Sequence, residues 1–292
     1  MKPTFAAASF ALLAGLAWEA ADAQTGGGPP IAYVKIGGTA QELYLVNPDG
    51  SGLKKIYTTA SKRAIGWVDL KPGGGEIAFT EFGKGTPRVV KILPLNGANA
   101  AGPAITLAGP CGTDTVDYHP TEPMLIISDI CNQNPRIATI RTDGTGYTVL
   151  QSSGAYMNKA RWLRDGSSYV YVRAPVDGSP LQLCKNACDP SNGELLRTVN
   201  GMWSMDVGRT ANMILHDYGG PYMSKVDGDS GALVSANYIN GTDGHYSRDD
   251  RYVLYETPHE ARGDYLHIYD TTTGLTARLT SKGEYGPKDW RQ

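Results

Sequence analysis

Short apolar runs rich in β-branched and aromatic residues recur along the chain. They are Ile31-Ala32-Tyr33-Val34, Ile77-Ala78-Phe79-Thr80, Leu125-Ile126-Ile127-Ser128, Tyr169-Val170-Tyr171-Val172, Met213-Ile214-Leu215-His216 and Tyr252-Val253-Leu254-Tyr255. Runs of this length bounded by turn residues read as strands. A second run follows each one, such as Leu43-Tyr44-Leu45-Val46 or Ile137-Ala138-Thr139-Ile140. A turn then closes it: Asp49-Gly50, Asn96-Gly97, Asp143-Gly144, Asn192-Gly193, Asp227-Gly228 or Thr273-Gly274. Asn-Gly and Asp-Gly tolerate the positive φ of a tight hairpin turn.

A third column lies upstream of each first run: Leu70, Tyr118, Trp162, Asp206, Tyr246 and Trp290. Six units of four strands, about 45 residues each, have the period of a propeller blade. The last unit ends at Trp290 on an innermost-strand signal, and the first begins at Ile31 without its innermost strand. Pairing the two ends would complete the ring and remove two open sheet edges. The expected fold is all-β, a six-bladed β-propeller of four-stranded antiparallel blades closed by its N- and C-terminal strands.

The aromatic-x-x-Asp turns (Trp162 to Gly166, Tyr246 to Asp250) and the hairpin Asn47-Pro48-Asp49-Gly50-Ser51-Gly52 resemble the propeller domain of TolB-like proteins. The resemblance runs from about Ile31 to the C-terminus. TolB carries a further N-terminal α/β domain, and dipeptidyl-peptidase relatives carry a hydrolase domain after such a propeller; this sequence leaves room for neither. The resemblance implies architecture more than activity, because one fold hosts many functions.

Composition adds a location. Lys2, the apolar stretch Phe5 to Ala17 and the site Ala21-Asp22-Ala23 predict a signal peptide over residues 1–23. A short segment, 24–30, would then lead into the propeller at 31–292. Export to the periplasm or medium is expected, with no lipid anchor, since no Cys follows the cleavage site. The formal charge of −2 argues against nucleic acid, and no later apolar run is long enough to span a membrane. Four Cys in an exported chain suggest two disulfides. Antiparallel pairing brings Cys111 and Cys131 to one face, and Cys184 and Cys188 bracket a hairpin.

Candidate chemistry gathers on one face. With strands lettered a to d from the axis outwards, the b–c hairpins and d–a connections share a face. At the ends of the b strands stand Lys35, Glu81, Asp129, Arg173, Asp217 and Glu256. They form either a polar rim around the channel mouth or simple openers of the b–c turns. One residue before each third-column position lie Asp69, Asp117, Arg161, Met205, His245 and Asp289, with Trp67, Lys159, Trp203 and Asp243 two residues further upstream. Side chains two apart share one side of a strand, so this polar set is expected to lean into the channel. Its carboxylates and His245 could hold Ca²⁺ or another hard divalent cation, or pair with Arg161 and Lys159. No cofactor is firmly indicated.

Some TolB-like propellers are oligogalacturonate lyases with a histidine-held metal. That resemblance makes His216, His245 and His259 metal candidates, against which stand only five His in all and no adjacent pair. The string Gly228-Asp229-Ser230-Gly231 looks protease-like but occupies a hairpin position. Tyr outnumbers Phe, 17 to 4, and Tyr156, Tyr218, Tyr222, Tyr238 and Tyr285 fall near connections of the same face. Amphipathic rings suit protein or sugar contact.

The expected function is a non-catalytic binding or scaffold module of the cell envelope, with an envelope protein or an oligosaccharide as partner. The alternative is a carbohydrate-active enzyme, a lyase or hydrolase of acidic oligosaccharides, with His245, Asp69, Asp117 and Asp289 as candidate catalytic residues at the channel mouth.

Overall fold

A computed structural model describes residues 30–199, 201–202, 204–217, 222–257, 265–280 and 284–290. The expected signal peptide and most of the segment after it lie outside these residues. Blade 1 takes β1 (Ile31–Gly37), β2 (Ala40–Val46) and β3 (Lys54–Thr58) from the start of the chain. Blade 2 holds β4 (Arg63–Leu70), β5 (Glu76–Gly83), β6 (Thr86–Asn96) and the short β7 (Asn99–Ala100) and β8 (Ile105–Thr106). Blade 3 is β9 (Thr113–Tyr118), β10 (Met124–Cys131), β11 (Asn134–Arg141) and β12 (Thr148–Ser152). Blade 4 is β13 (Tyr156–Trp162), β14 (Tyr169–Ala174), β15 (Leu181–Lys185) and β16 (Leu195–Val199). Blade 5 is β17 (Met205–Val207), β18 (Met213–Asp217), β19 (Tyr222–Asp227) and β20 (Leu233–Asn240). Blade 6 is β21 (Thr242–Tyr246), β22 (Tyr252–Thr257), β23 (Tyr265–Asp270) and β24 (Thr276–Arg278). Finally β25 (Glu284–Asp289) pairs antiparallel with β1, matching Ala32 to Asp289 and Lys35 to Tyr285, and completes blade 1.

The b strands are apolar without alternation because both faces of a blade are covered by neighbours. Ile31 to Val34 are all buried, as are Ile77 to Glu81 and Leu125 to Asp129. Six hydrophobic clusters result, one between each pair of adjacent blades. Blade 1 packs on blade 2 through Val34, Leu43 and Leu45 against Ile65, Leu70 and Phe79. At the closure, Ile31, Tyr33 and Val46 of blade 1 meet Leu254, Leu266 and Ile268 of blade 6, with Tyr285 and Trp290 from the C-terminal end.

The hairpins behave as their chemistry dictates. Gly50 and Gly144 take φ of 80° and 84°, and Asp49 and Asp143 accept from the amides of Ser51 and Thr145. Gly228 to Gly231 is the β19–β20 turn, held by Asp227, which accepts from the Ser230 amide at 2.7 Å. Cys111 pairs with Cys131 and Cys184 with Cys188, their Cα atoms 5.1 and 4.7 Å apart. Disulfides of this kind fit an oxidising compartment. Among the described residues, no helix is long and apolar enough to cross a membrane.

Candidate functional site

The innermost strands β25, β4, β9, β13, β17 and β21 line the channel. Five of them are bulged where the chain enters the blade, between Ile65 and Trp67 in β4 and between Thr242 and His245 in β21, for example. A bulge bends a strand and re-aims a side chain. In β13 and β21 the bulge places Lys159 and Asp243 at φ of 59° and 52°, the left-handed region that such residues seldom occupy.

Below the bulges, six buried polar side chains form a ring: Asp69, Asp117, Arg161, Asp206, His245 and Asp289. Four of its neighbour contacts follow one rule. The Asp accepts a hydrogen bond from a backbone amide of the next blade. Asp289 Oδ2 takes the Leu70 amide at 2.8 Å and Asp69 Oδ2 the Tyr118 amide at 2.6 Å. Asp117 Oδ2 takes the Trp162 amide at 2.8 Å and Asp206 Oδ2 the Tyr246 amide at 2.9 Å. The two remaining seams replace the Asp by a basic side chain that faces the next Asp. Arg161 Nε lies 3.5 Å from Asp206 Oδ1, and His245 Nδ1 lies 3.7 Å from Asp289 Oδ1.

This ring corrects the expected register in blade 5. Sequence periodicity put Met205 in the polar column and Asp206 among the anchors. The structure places Asp206 in the ring, Met205 in the buried interface between blades 4 and 5, and Val207 in the anchor position. The reason is that β17 is only three residues long and has no aromatic anchor to mark its phase. At the far end of the channel, Arg209 of blade 5 reaches across to Asp117 at 3.1 Å and to the carbonyls of Tyr118 and Trp162.

A cavity of about 240 Å³ opens at the other end, lined by Gly66, Trp67, Asp243, His245, Glu256, Tyr285, Gly286 and Lys288. It lies on the face of the b–c and d–a connections. Lys288 is its foundation. Fully buried, it donates to Asp243 Oδ2 at 2.6 Å and to Glu256 Oε1 at 2.7 Å. Burial would lower its pKa, but the two carboxylates outweigh that and raise it. Burial likewise opposes charge on His245; its contacts with Asp243 (3.5 Å) and Asp289 prevail and lift the imidazole above its ordinary value. Burial disfavours the Asp243 carboxylate as well, and Lys288 and His245 more than compensate, holding it far below the usual range. Lys159 of β13 has its pKa lowered, first by burial, with Asp243 opposing.

Lys288 is a residue of this candidate site that strand periodicity alone does not reveal. A sequence signal exists nonetheless. The column preceding the ring reads Val68, Val116, Ala160, Met205 and Gly244, and then Lys288, the one charged member.

The other expected residues are placed as follows. Glu81 pairs with Arg63 and with Lys91 (3.1 Å) and accepts from Tyr57. Asp129 accepts from the amides of Cys111 and Gly112 and pairs with Arg136 at 3.2 Å. Asp217 accepts from Ser204 Oγ and from the Asp243 amide, joining blades 5 and 6. Arg173 donates to Gln182, and Lys35 is exposed. Tyr156 and Tyr222 are exposed, and Tyr156 donates to Asp114. Tyr218, Trp203 and His259 lie outside the described residues.

The histidines do not assemble. His216 is buried in β18, and burial pushes its pKa down to about 4. His119 is held in a turn, its Nδ1 accepting from the amides of Thr121 and Glu122. His267 packs beside Tyr255 and Tyr265. Among the described residues, the one group of three His, Cys, Asp or Glu donors within 4.8 Å of one another is Cys111, Asp129 and Cys131, whose sulfurs are joined. His216 and His245 enter no such set, so the described histidines do not fit a shared metal.

No family model and no curated protein matches the sequence. Solved structures do. TolB from Acinetobacter baumannii aligns with a TM-score of 0.70 and 19% identity, over 90% of this chain and 66% of that one. The putative TolB from Agrobacterium tumefaciens gives 0.64 and 14% identity, over 89% and 92%. An oligogalacturonate lyase in complex with manganese gives 0.52 and 12% identity, over 82% and 73%. The chain therefore spans just under two thirds of the A. baumannii protein. At these identities the likeness concerns the fold. The protein is a six-bladed β-propeller. Its propeller is TolB-like.

Proposed function

We propose that this propeller is a non-catalytic binding module of the cell envelope, exported to the periplasm or medium, and that it engages a protein partner through the face bearing the b–c and d–a connections. The observation that carries the reading is the occupation of the ring carboxylates. Asp69, Asp117 and Asp289, the candidate acids and bases, are buried acceptors for amides of the neighbouring blade. Groups so engaged hold the ring together and have little freedom to shuttle protons. The exposed rings of Tyr156 and Tyr222 and the charged side chains of Lys35 and Arg173 remain for contact, as suits an interface with aromatic anchors and a polar rim. Residues 1–23 are proposed as the cleaved leader.

The test is a cross-linking pull-down from envelope extract with the mature protein and a Tyr156→Ala/Tyr222→Ala variant. A discrete partner lost in the variant is expected. Equal recovery with both proteins would contradict the use of this face.

One observation favours a second reading as a carbohydrate-active enzyme: His245, between Asp243 and Asp289, lines the mouth cavity. The lyase structure is too distant to add weight, since it shares the fold alone. Incubation with oligogalacturonate, watching for the absorbance of an unsaturated product, decides it. Turnover abolished by His245→Gln would establish the enzyme; the binding-module reading expects none.

A further inference from the structure

We infer that the Cys111–Cys131 disulfide is a thiol-exchange site, open to a dithiol reductant, and that its opening loosens the Tyr156 contact patch. The second half rests on the binding-module reading and gives that face a regulation.

The two disulfides of the chain differ in access. Cys184 is fully buried and Cys188 nearly so, both packed among Ile126, Ile137, Trp162 and Tyr171 between blades 3 and 4. Cys111 is exposed, in the connection that leads into β9, and its partner Cys131 is buried at the end of β10. An innermost strand begins and a b strand ends there, so this disulfide lies on the face of the b–c and d–a connections. The two also differ in charge. Arg136 Nη2 donates to Cys111 Sγ at 3.5 Å, whereas among the described residues no Lys or Arg donates to the sulfur of Cys184 or Cys188. A guanidinium beside a sulfur attracts an incoming thiolate and favours the one that departs. Asp129, with an oxygen within 4.8 Å of both sulfurs, opposes this. Its charge is met by Arg136 at 3.2 Å, by the Tyr147 hydroxyl at 2.8 Å and by the amides of Cys111 and Gly112.

The exchange balances with the dithiol alone. One thiolate of the reductant attacks the exposed Cys111 Sγ, the S–S bond breaks, and Cys131 leaves as a thiolate. The second thiolate of the reductant then attacks its own half of the mixed disulfide and releases Cys111 beside Arg136. The reductant gives up two electrons and two protons and closes as a disulfide; the two cysteines take them up as thiols.

The consequence runs through Asp114. Thr113 pairs with Asp129 and Thr115 with Ser128, so Asp114 is the extra residue of a bulge, three positions after Cys111. A bulge re-aims the side chain it carries. Asp114 accepts from the Tyr156 hydroxyl at 2.9 Å and from Asn158 at 3.2 Å, and it pairs with Arg88. The exposed Tyr156 ring is thus held by a carboxylate that the disulfide moors. Once the bond opens, the mooring passes to the two amides on Asp129 and to the Ile130 amide, which donates to the Gly112 carbonyl at 3.3 Å.

The experiment treats the mature protein with rising dithiothreitol, alkylates the free thiols and maps them by mass spectrometry. Cys111 and Cys131 should be labelled while Cys184 and Cys188 remain joined. Arg136→Gln should slow the opening about fivefold, the effect of removing one charge at a partly exposed site, and Arg136→Lys should restore most of the rate. An arginine that only braces the blade predicts the opposite sign, faster opening in Arg136→Gln. If Arg136→Gln fails to fold, the order of opening in the unaltered protein decides. Opening of both disulfides together, Cys184–Cys188 opening first, or faster opening in Arg136→Gln overturns the exchange site. The selectively reduced protein then repeats the pull-down, and loss of the Tyr-dependent partner is expected. Undiminished capture overturns the regulation and leaves the binding-module reading standing. No such partner on the oxidised protein removes that reading, and with it the regulation, while the order of labelling still judges the exchange site.

Discussion

Four seams of the ring and the other two solve the same problem differently. Where blades 1 and 2, 2 and 3, 3 and 4, and 5 and 6 meet, an Asp side chain accepts an amide of the next innermost strand. Where blades 4 and 5, and 6 and 1, meet, Arg161 and His245 face the next Asp instead. The amide tie uses a donor that every strand possesses, and it leaves one carboxylate per seam. The basic seam sets a charge against that carboxylate, always for Arg161 and for His245 when its ring is protonated, at the expense of burying a second charge. One such seam, 6 to 1, is the closure of the ring and adjoins the mouth cavity. The difference teaches that the polar channel is first a fastening device and that its chemistry is concentrated where the chain ends meet.

The largest effect should come from the basic seams. Arg161→Met leaves Asp206 facing an apolar neighbour, and breaking a buried pair from one side costs about 3–5 kcal/mol. Denaturant unfolding should show it; a loss below 1 kcal/mol would mean that the pair contributes little and the amide ties suffice. Asp69→Ala removes one amide tie and strands the Tyr118 donor in a buried place, at about 1–3 kcal/mol. Asp69→Asn keeps an acceptor oxygen and should recover part of that; equal losses in both variants would break the distinction drawn between tie and charge.

Acid adds a smaller test. His216 has a folded pKa of about 4 against an ordinary value near 6.5. Between these values the unfolded chain binds a proton that the folded one refuses. Stability from this group is therefore present above 6.5 and lost as pH falls toward 4, and His216→Phe should flatten that limb. His245 has the opposite sign. Its pKa is raised, so its contribution is full below about 6.5 and fades as pH rises through the folded value. The smallest expected change is thus a reduced alkaline decline in His245→Gln, read from melts across pH 6 to 9. An unchanged decline would mean that the 6-to-1 seam does not draw on the imidazolium.

Much of this was legible in the sequence because blade strands are fixed by local patterns. The b strands announce themselves by unbroken apolar runs, and the Asp-Gly turns set their spacing. The same patterns implied the closure of β25 on β1 and the two disulfides. The ring was legible in five of six places and slipped at blade 5, where Val207 replaces an aromatic anchor. Two features exceeded the pattern. Periodicity says which side of a strand a residue takes, but not which neighbouring blade it meets, so the distance between His216 and the His245 cluster could not be read. The role of Lys288 depends on Asp243 and Glu256 across a seam, 45 and 32 positions away in the chain.

The fastening role of the ring is tested most directly by native-state hydrogen exchange at Leu70, Tyr118, Trp162 and Tyr246. These four amides should exchange only through global unfolding, and Asp69→Ala should release Tyr118 well ahead of the other three. Rapid exchange at all four in the unaltered protein, or a Tyr118 amide indifferent to the loss of Asp69, would contradict the account.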